Sequence, residues 1–196
     1  MKIMVLAAAL AAAAPAVAQE RPVLQPTKDV LVTYKLDGAA SEIIPGGQPA
    51  GSLRLFWDAT NQRMRLELDG RTQAMLVDLR GRQAHVLDTG LRSYIVLPVG
   101  NAEMAAITLA GAQLTRRNTD TVAGLPCTNW SVQSPRGTGT ICMTADGVAL
   151  RAVGEVDGRR GAFTATDVLW GPQPATRFQV PAGYMSFAIP GMGRPR

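Results

Sequence analysis

The sequence is short of the side chains from which most active sites are built. It contains one histidine, two cysteines, four Phe, three Trp and three Tyr in 196 residues. A single histidine, His85, excludes a histidine-rich metal site. It also leaves a nucleophilic triad without its companions, because no Gly-x-Ser-x-Gly elbow positions a serine. The two cysteines, Cys127 and Cys142, are not spaced as Cys-x-x-Cys and have no histidine nearby, which argues against zinc or dithiol redox chemistry. The basic residues are scattered, with only Arg116-Arg117 and Arg159-Arg160 adjacent. With so few aromatics for base stacking, nucleic-acid binding is not expected. Beyond residue 18 no apolar run is long enough to span a membrane as a helix. From Gly51 to Pro98 no gap of helical-crossover length separates the strand-like runs either, which excludes a dinucleotide-binding fold and a TIM barrel.

The first 18 residues read as a secretory signal: Lys2 gives a positive start, Ile3 to Ala14 is apolar, and Ala16-Val17-Ala18 is a small-residue cleavage site. Gln19, not cysteine, follows the expected cut, so the signal is not of the lipoprotein kind. Removing Lys2 leaves 19 basic and 15 acidic residues, a net charge of +4. The Ala-rich signal, Arg-rich usage and scarcity of cysteine point to a bacterial protein exported to the periplasm, or secreted beyond it. In that oxidising compartment Cys127 and Cys142 are expected to form one disulfide across a hairpin turning at Pro135 to Gly139.

Residues 19–27 read as an extended lead-in, 28–187 as a single domain, and 188–196 as a Pro/Gly-rich tail. Within the domain, hydrophobicity alternates with period two. Val30, Val32, Tyr34 and Leu36 share one face; Leu53, Leu55 and Trp57 share another, as do Met64, Leu66 and Leu68. Asp69-Gly70, Arg80-Gly81, Asp146-Gly147 and Asp157-Gly158 mark turns. Asp37 to Gly51 is a long connection. Asn101 to Ala110 is the best helix, with Asn101 as its expected cap and Glu103 in its first turn. The last strand is expected near Arg177 to Val180. The result is a mainly β protein of nine or ten strands, with one or two short helices, in one curved sheet with a buried and a wet face.

No catalytic residues are assigned. His85 reads as structural or surface, and Glu67/Asp69 and Asp78/Asp88 as members of a solvated face. The methionines are flexible apolar filling, with Met185 and Met192 as weaker candidates for a contact surface. Gly137-Thr138-Gly139 is too short for a phosphate loop. No cofactor or metal is expected.

Several segments, "DVLVTYKL", "QRMRLELDG", "MLVDLRGRQAHVLD", "RSYIVLP", "DTVAGLPCTNWSV" with "GTICMTADGVALRA", and "RFQVPAGYMSF", resemble a family of exported bacterial proteins of uncharacterised function. That family is similar in architecture to the periplasmic lipoprotein carriers and receptors, the LolA-like and LolB-like proteins. The resemblance implies a strongly curved, incompletely closed antiparallel sheet, a half-barrel, with helices over an apolar cavity. This chain departs from the pattern in having no clear helix before its first strand, a single convincing helical insert and the long Asp37–Gly51 connection.

Trp57, Met64, Leu66, Met104, Ile107 and Trp130 are candidates to line an apolar cleft, with arginines at its rim attracting acidic head groups. The same six residues would serve equally as a filled core. The leading function is non-enzymatic binding of a lipid, an acyl chain or a lipidated protein. The alternative is an envelope protein–protein interaction module without a small ligand, contacting its partner through a sheet edge or the segment from Gly183 to Arg196. An unrecognised enzyme comes third. Expression in a bacterium with an intact secretion pathway is expected to yield a mature protein whose first residue is Gln19. N-terminal sequencing that returns Met1 would remove the export reading.

Overall fold

The computed structural model describes residues 21–42 and 49–187. The expected signal at 1–18 and tail at 188–196 lie outside the described residues, as does the middle of the Asp37–Gly51 connection. The strands are β1 (Val30–Gly38), β2 (Ser52–Asp58), β3 (Arg63–Leu68), β4 (Gln73–Asp78), β5 (Gln83–Asp88) and β6 (Ser93–Pro98). The helix α1 (Asn101–Thr108) follows, then β7 (Gln113–Val122), β8 (Leu125–Ser134), β9 (Gly137–Met143), β10 (Ala149–Val156), β11 (Arg159–Trp170) and β12 (Met185–Phe187). All twelve form one open sheet in the order β12-β6-β5-β4-β3-β2-β1-β11-β10-β9-β8-β7. The mainly β half-barrel is therefore present, with a single α-helix among the described residues and more strands than the alternation resolved. No helix among the described residues is long and apolar enough to cross a membrane.

The period-two pattern sets the register. Val30 lies opposite Trp57 and Tyr34 opposite Leu53. Trp57 in turn lies opposite Met64, Met64 opposite Val77, and Val77 opposite Ala84. One slip of a residue would turn each of these side chains to water. The inner face so formed is the main core, which also takes in Leu150, Val148, Cys127 and Cys142. Tyr34 is buried within it, its hydroxyl donating to the Ala149 carbonyl at 2.8 Å, and burial pushes its phenol pKa well up.

Three hairpins share one turn chemistry. Asp58, Asp78 and Asp88 end their strands, and their carboxylates accept the backbone N–H of Asn61, Gly81 and Leu91 at 2.9, 2.7 and 3.0 Å. One residue further on, Gln62, Arg82 and Arg92 take positive φ of 54, 53 and 48°. Ala123-Gly124 and Asp157-Gly158, with both residues at positive φ, close the tight β7–β8 and β10–β11 hairpins. Asp78 and Asp88 thus act as turn locks, whereas Glu67 sits on the outer face between Arg54 and Arg65 at 2.8 and 2.7 Å.

Two local expectations are corrected. Asn101 does not cap α1: the capping position is Gly100, without a side-chain hydrogen bond, and Asn101 instead accepts from Arg82 at 2.6 Å. The segment Arg177–Val180 is not a strand. Ala175–Phe178 forms a 3-10 turn after Pro174, whose carbonyl accepts the Arg177 N–H at 2.9 Å, so that bond is spent locally and not on a ladder. This segment crosses the outer face of the sheet. Arg177 lies 4.1 Å over the Phe56 ring, Phe178 is buried, and Val180 and Tyr184 pack on Ala74, Leu76 and Leu87. Having crossed, the chain ends as β12, which pairs with β6 in parallel, the one non-antiparallel pairing among the described strands.

The expected disulfide is present, joining Cys127 on β8 to Cys142 on β9 inside the core. Replacing both cysteines with alanine is expected to lower stability by about 3 kcal/mol, the entropy of a loop of this length. Urea unfolding of oxidised wild type beside the double variant measures it, and coincident curves would show that the bridge constrains nothing.

Candidate functional site

The inner face is filled along β1–β5 but hollow along β9–β11. Four glycines lie side by side across adjacent strands: Gly38 on β1 opposite Gly161 on β11, Gly161 opposite Gly154 on β10, and Gly154 opposite Gly139 on β9. The strands approach so closely here that side chains do not fit. A Cβ on Gly38 would stand 2.6 Å from the Arg160 carbonyl oxygen, and on Gly139 2.7 Å from that of Val153. The row therefore thins the wall of the sheet, and three of its members, Gly139, Gly154 and Gly161, leave the interior without side chains at one level.

Above this bare backbone lies α1. Its apolar side is mostly alanine, and it has no buried residue. It ends at Leu109, which adopts the left-handed conformation at φ 52°. Between the two lies a cleft of about 890 Å³. Its roof is Ala102, Ala105, Ala106, Ile107 and Ala110; its floor and walls include Gly139, Gly154, Gly161, Ile141, Ala152 and Phe163. Leu24, from the extended lead-in, closes the cleft at one end and packs with Leu114, Trp130 and Met143. That lead-in is held by Thr27 N–H to the Asp146 carbonyl at 2.9 Å and by the Trp57 indole donating to the Pro26 carbonyl at 2.8 Å.

The rim is charged but paired. Arg136, in the β8–β9 turn, donates from Nε to Asp157 Oδ2 at 3.1 Å, and Arg159 is bonded to Glu42. The hydrogen bond from Arg136 holds the Asp157 carboxyl below the usual carboxylate range. Two arginines at the rim are thus each paired with a carboxylate of the chain itself.

Of the six residues read as a cleft lining, the structure places only Ile107 on the cleft. Trp57 is buried in the main core, and Met64, Leu66 and Met104 pack against it. Trp130 lies in a separate cluster, beneath Met143 and Ile141, both of which line the cleft. What the sequence reading missed is the glycines, since Gly38, Gly139, Gly154 and Gly161 align only once the pairing register is known. The signal available was a glycine inside each of several strand-like runs.

His85 sits on the outer face of β5, opposite Leu76, with its ring 5.7 Å from that of Tyr94, and does not reach the cleft. Among the described residues no group of three or more His, Cys, Asp or Glu is placed to hold a metal ion. Partial burial lowers the His85 pKa, with Asp78 opposing. A histidine whose folded pKa is depressed favours the folded state above its unfolded value, and that contribution is lost as pH falls through the folded one. NMR titration is expected to place its midpoint below that of an unfolded reference peptide; a higher midpoint would contradict the burial described.

No protein-family model matches the chain, and no curated protein sequence is significantly similar to it. Solved structures are similar in fold. An uncharacterised conserved protein from Thermus thermophilus aligns with a TM-score of 0.55 at 11% identity, over 82% of this chain and 90% of that one. MucB, in its Pseudomonas aeruginosa complex with MucA, aligns with a TM-score of 0.50 at 18% identity, over 79% of this chain and 56% of that one. A LolA superfamily protein from Nitrosomonas europaea aligns over 80% of this chain and 92% of that one, with a TM-score of 0.41 at 11% identity. The chain thus spans little more than half the length of the MucB it matches. What this chain shares with the Thermus thermophilus protein and with MucB is the fold.

Proposed function

We propose that this chain is a non-enzymatic binder of an apolar ligand, a lipid, an acyl chain or the acyl anchor of a lipidated protein, acting in the bacterial periplasm. The observation that carries the reading is the cleft between the alanine side of α1 and the glycine row. Its 890 Å³ lies within the range of small-molecule sites, and its walls are apolar. Burial of acyl methylenes there would contribute roughly 0.8 kcal/mol each. Nothing in such binding calls for a catalytic group, and the sole histidine is on the other face of the sheet.

A second reading, an envelope module that binds another protein, is favoured by a different observation. Strand β7 is a sheet edge, and seven of its ten residues are exposed. MucB, which shares the fold, is described in complex with MucA.

Native mass spectrometry of protein taken directly from the periplasm, followed by organic extraction, separates the two. The cleft reading expects a reproducible, near-stoichiometric lipid adduct. The Ala105→Phe variant is expected to lose at least nine-tenths of that adduct while unfolding at nearly the wild-type midpoint, because the ring enters empty space. Were the cleft collapsed in solution, the same ring would overpack it and cost about 1–3 kcal/mol. That outcome, with no adduct on wild type, would move the function to the β7 edge.

A further inference from the structure

The cleft has two unlike ends. Its floor follows β9 and β10, which pair antiparallel, so that Met143 lies opposite Ala149 at one end and Gly137 opposite Val156 at the other. At about 3.4 Å per residue, β9 spans roughly 20 Å between them. Among the described residues, the charged side chains lining the cleft are Arg136, Asp157 and Arg159, and all three stand at the β8–β9 and β10–β11 turns, the Gly137 end. They are half exposed, so that end is wet. The Met143 end is apolar. Val132, Ile141, Met143 and Ala149 line it and pack in one cluster with Leu24, over the buried Leu114 and Trp130.

Leu24 differs from its neighbours in belonging to neither sheet nor helix. The lead-in that carries it is fixed immediately afterwards. Pro26 and Thr27 are held by the Trp57 indole and by the Asp146 carbonyl, and Lys28 pairs with the Asp146 carboxylate at 3.0 Å. Ahead of them the Gln25 backbone lies directly on Gly147, which has a φ of 87°; a Cβ there would stand 2.2 Å from the Gln25 carbonyl oxygen. The backbone behind Leu24 is therefore held against the β9–β10 turn, and its side chain stands across the closed end of the cleft.

A chain molecule has one favourable direction in such a space. Methylenes gain by leaving water along the whole length. A carboxylate, ester or hydroxyl carried to the Met143 end would lose its water among apolar side chains, whereas at the turns it keeps that water. We propose that Leu24 sets the length of chain that the cleft accepts: an unbranched acyl chain enters methyl end first from the β8–β9 and β10–β11 turns, and its terminal methyl stops against Leu24. The proposal rests on the cleft reading above and adds to it a direction of entry and a residue that selects for length.

The test titrates the mature protein with the even-numbered saturated fatty acids from octanoate to arachidate, each below its aggregation concentration. Affinity is expected to rise roughly fourfold with each methylene that leaves water, then to stop rising at the length that reaches Leu24. Leu24→Ala is expected to move that break to the next longer acid, and Leu24→Phe to the next shorter one. Val23→Ala, at an exposed neighbour, should leave it in place. In each variant the indole N–H resonance of Trp57 should keep its wild-type position, because it reports the seat of the lead-in at Pro26. A break that stays at the wild-type length in both Leu24 variants, with every acid weakened equally or not at all, would overturn the proposal and leave the cleft reading standing. So would an affinity that climbs through the whole series without a break. Displacement of the Trp57 resonance in both Leu24 variants would overturn it too, since a wall that one side chain unseats is no fixed stop. Failure of every acid to bind would bring down the cleft reading and this proposal with it.

Discussion

The interior of this protein depends on one steric constraint, the contact of backbone with backbone along Gly38, Gly161, Gly154 and Gly139. Ordinary strands keep their side chains between themselves and whatever covers the sheet. Here four strands come together where even a methyl group would meet a neighbouring chain at distances real Cβ atoms do not show. The helix above cannot descend to fill the gap, since it is joined to β6 and β7 by short connections and presents alanines. A hollow is what remains. In the other half of the sheet, where Trp57, Met64 and Leu66 occupy the equivalent face, the same curvature encloses a solid core.

Period-two alternation made the strands legible, because one face of each is buried and the other wet. Val30, Val32, Tyr34 and Leu36 show it most clearly, and their burial follows the reading residue for residue. The turns were legible too, through Asp-Gly pairs. The last strand was not. Arg177 to Val180 alternates in the sequence, but alternation also arises where a segment lies across a sheet and turns residues at intervals down onto it, as Phe178, Val180 and Tyr184 are here. The cap of α1 failed for a similar reason. Asn101 is a good capping residue by type, yet the competing donor, Arg82 on the neighbouring turn, takes its oxygen.

The site was less legible than the fold, because it is made of absences. Reading for a lipid cleft by seeking large apolar residues selects the side chains that fill space, and Trp57, Met64, Leu66 and Met104 do fill it. The cleft lies where side chains are missing, at glycines and alanines whose composition says nothing until register brings them together. The arginines at the rim could not be judged from sequence either. Arg136 and Asp157 are separated by two strands' length of chain, and Arg159 and Glu42 by most of the domain, so their mutual neutralisation is a property of the topology alone.

The pairing of β1 with β11 has a kinetic consequence. Strands β1 to β6 are a run of successive neighbours, and so are β7 to β11, so each half consists of hairpins whose partners are close in sequence. The seam between the halves joins residues such as Val32 and Val168, and it is the widest loop closure in the sheet. Contacts of that range slow folding, since their entropy is lost before they contribute. Until the seam closes, β1 and β11 are both open edges, and the apolar Leu31, Val168 and Leu169 stand on them. While half-assembled, the chain thus presents two more edges to intermolecular strand pairing than the finished sheet does.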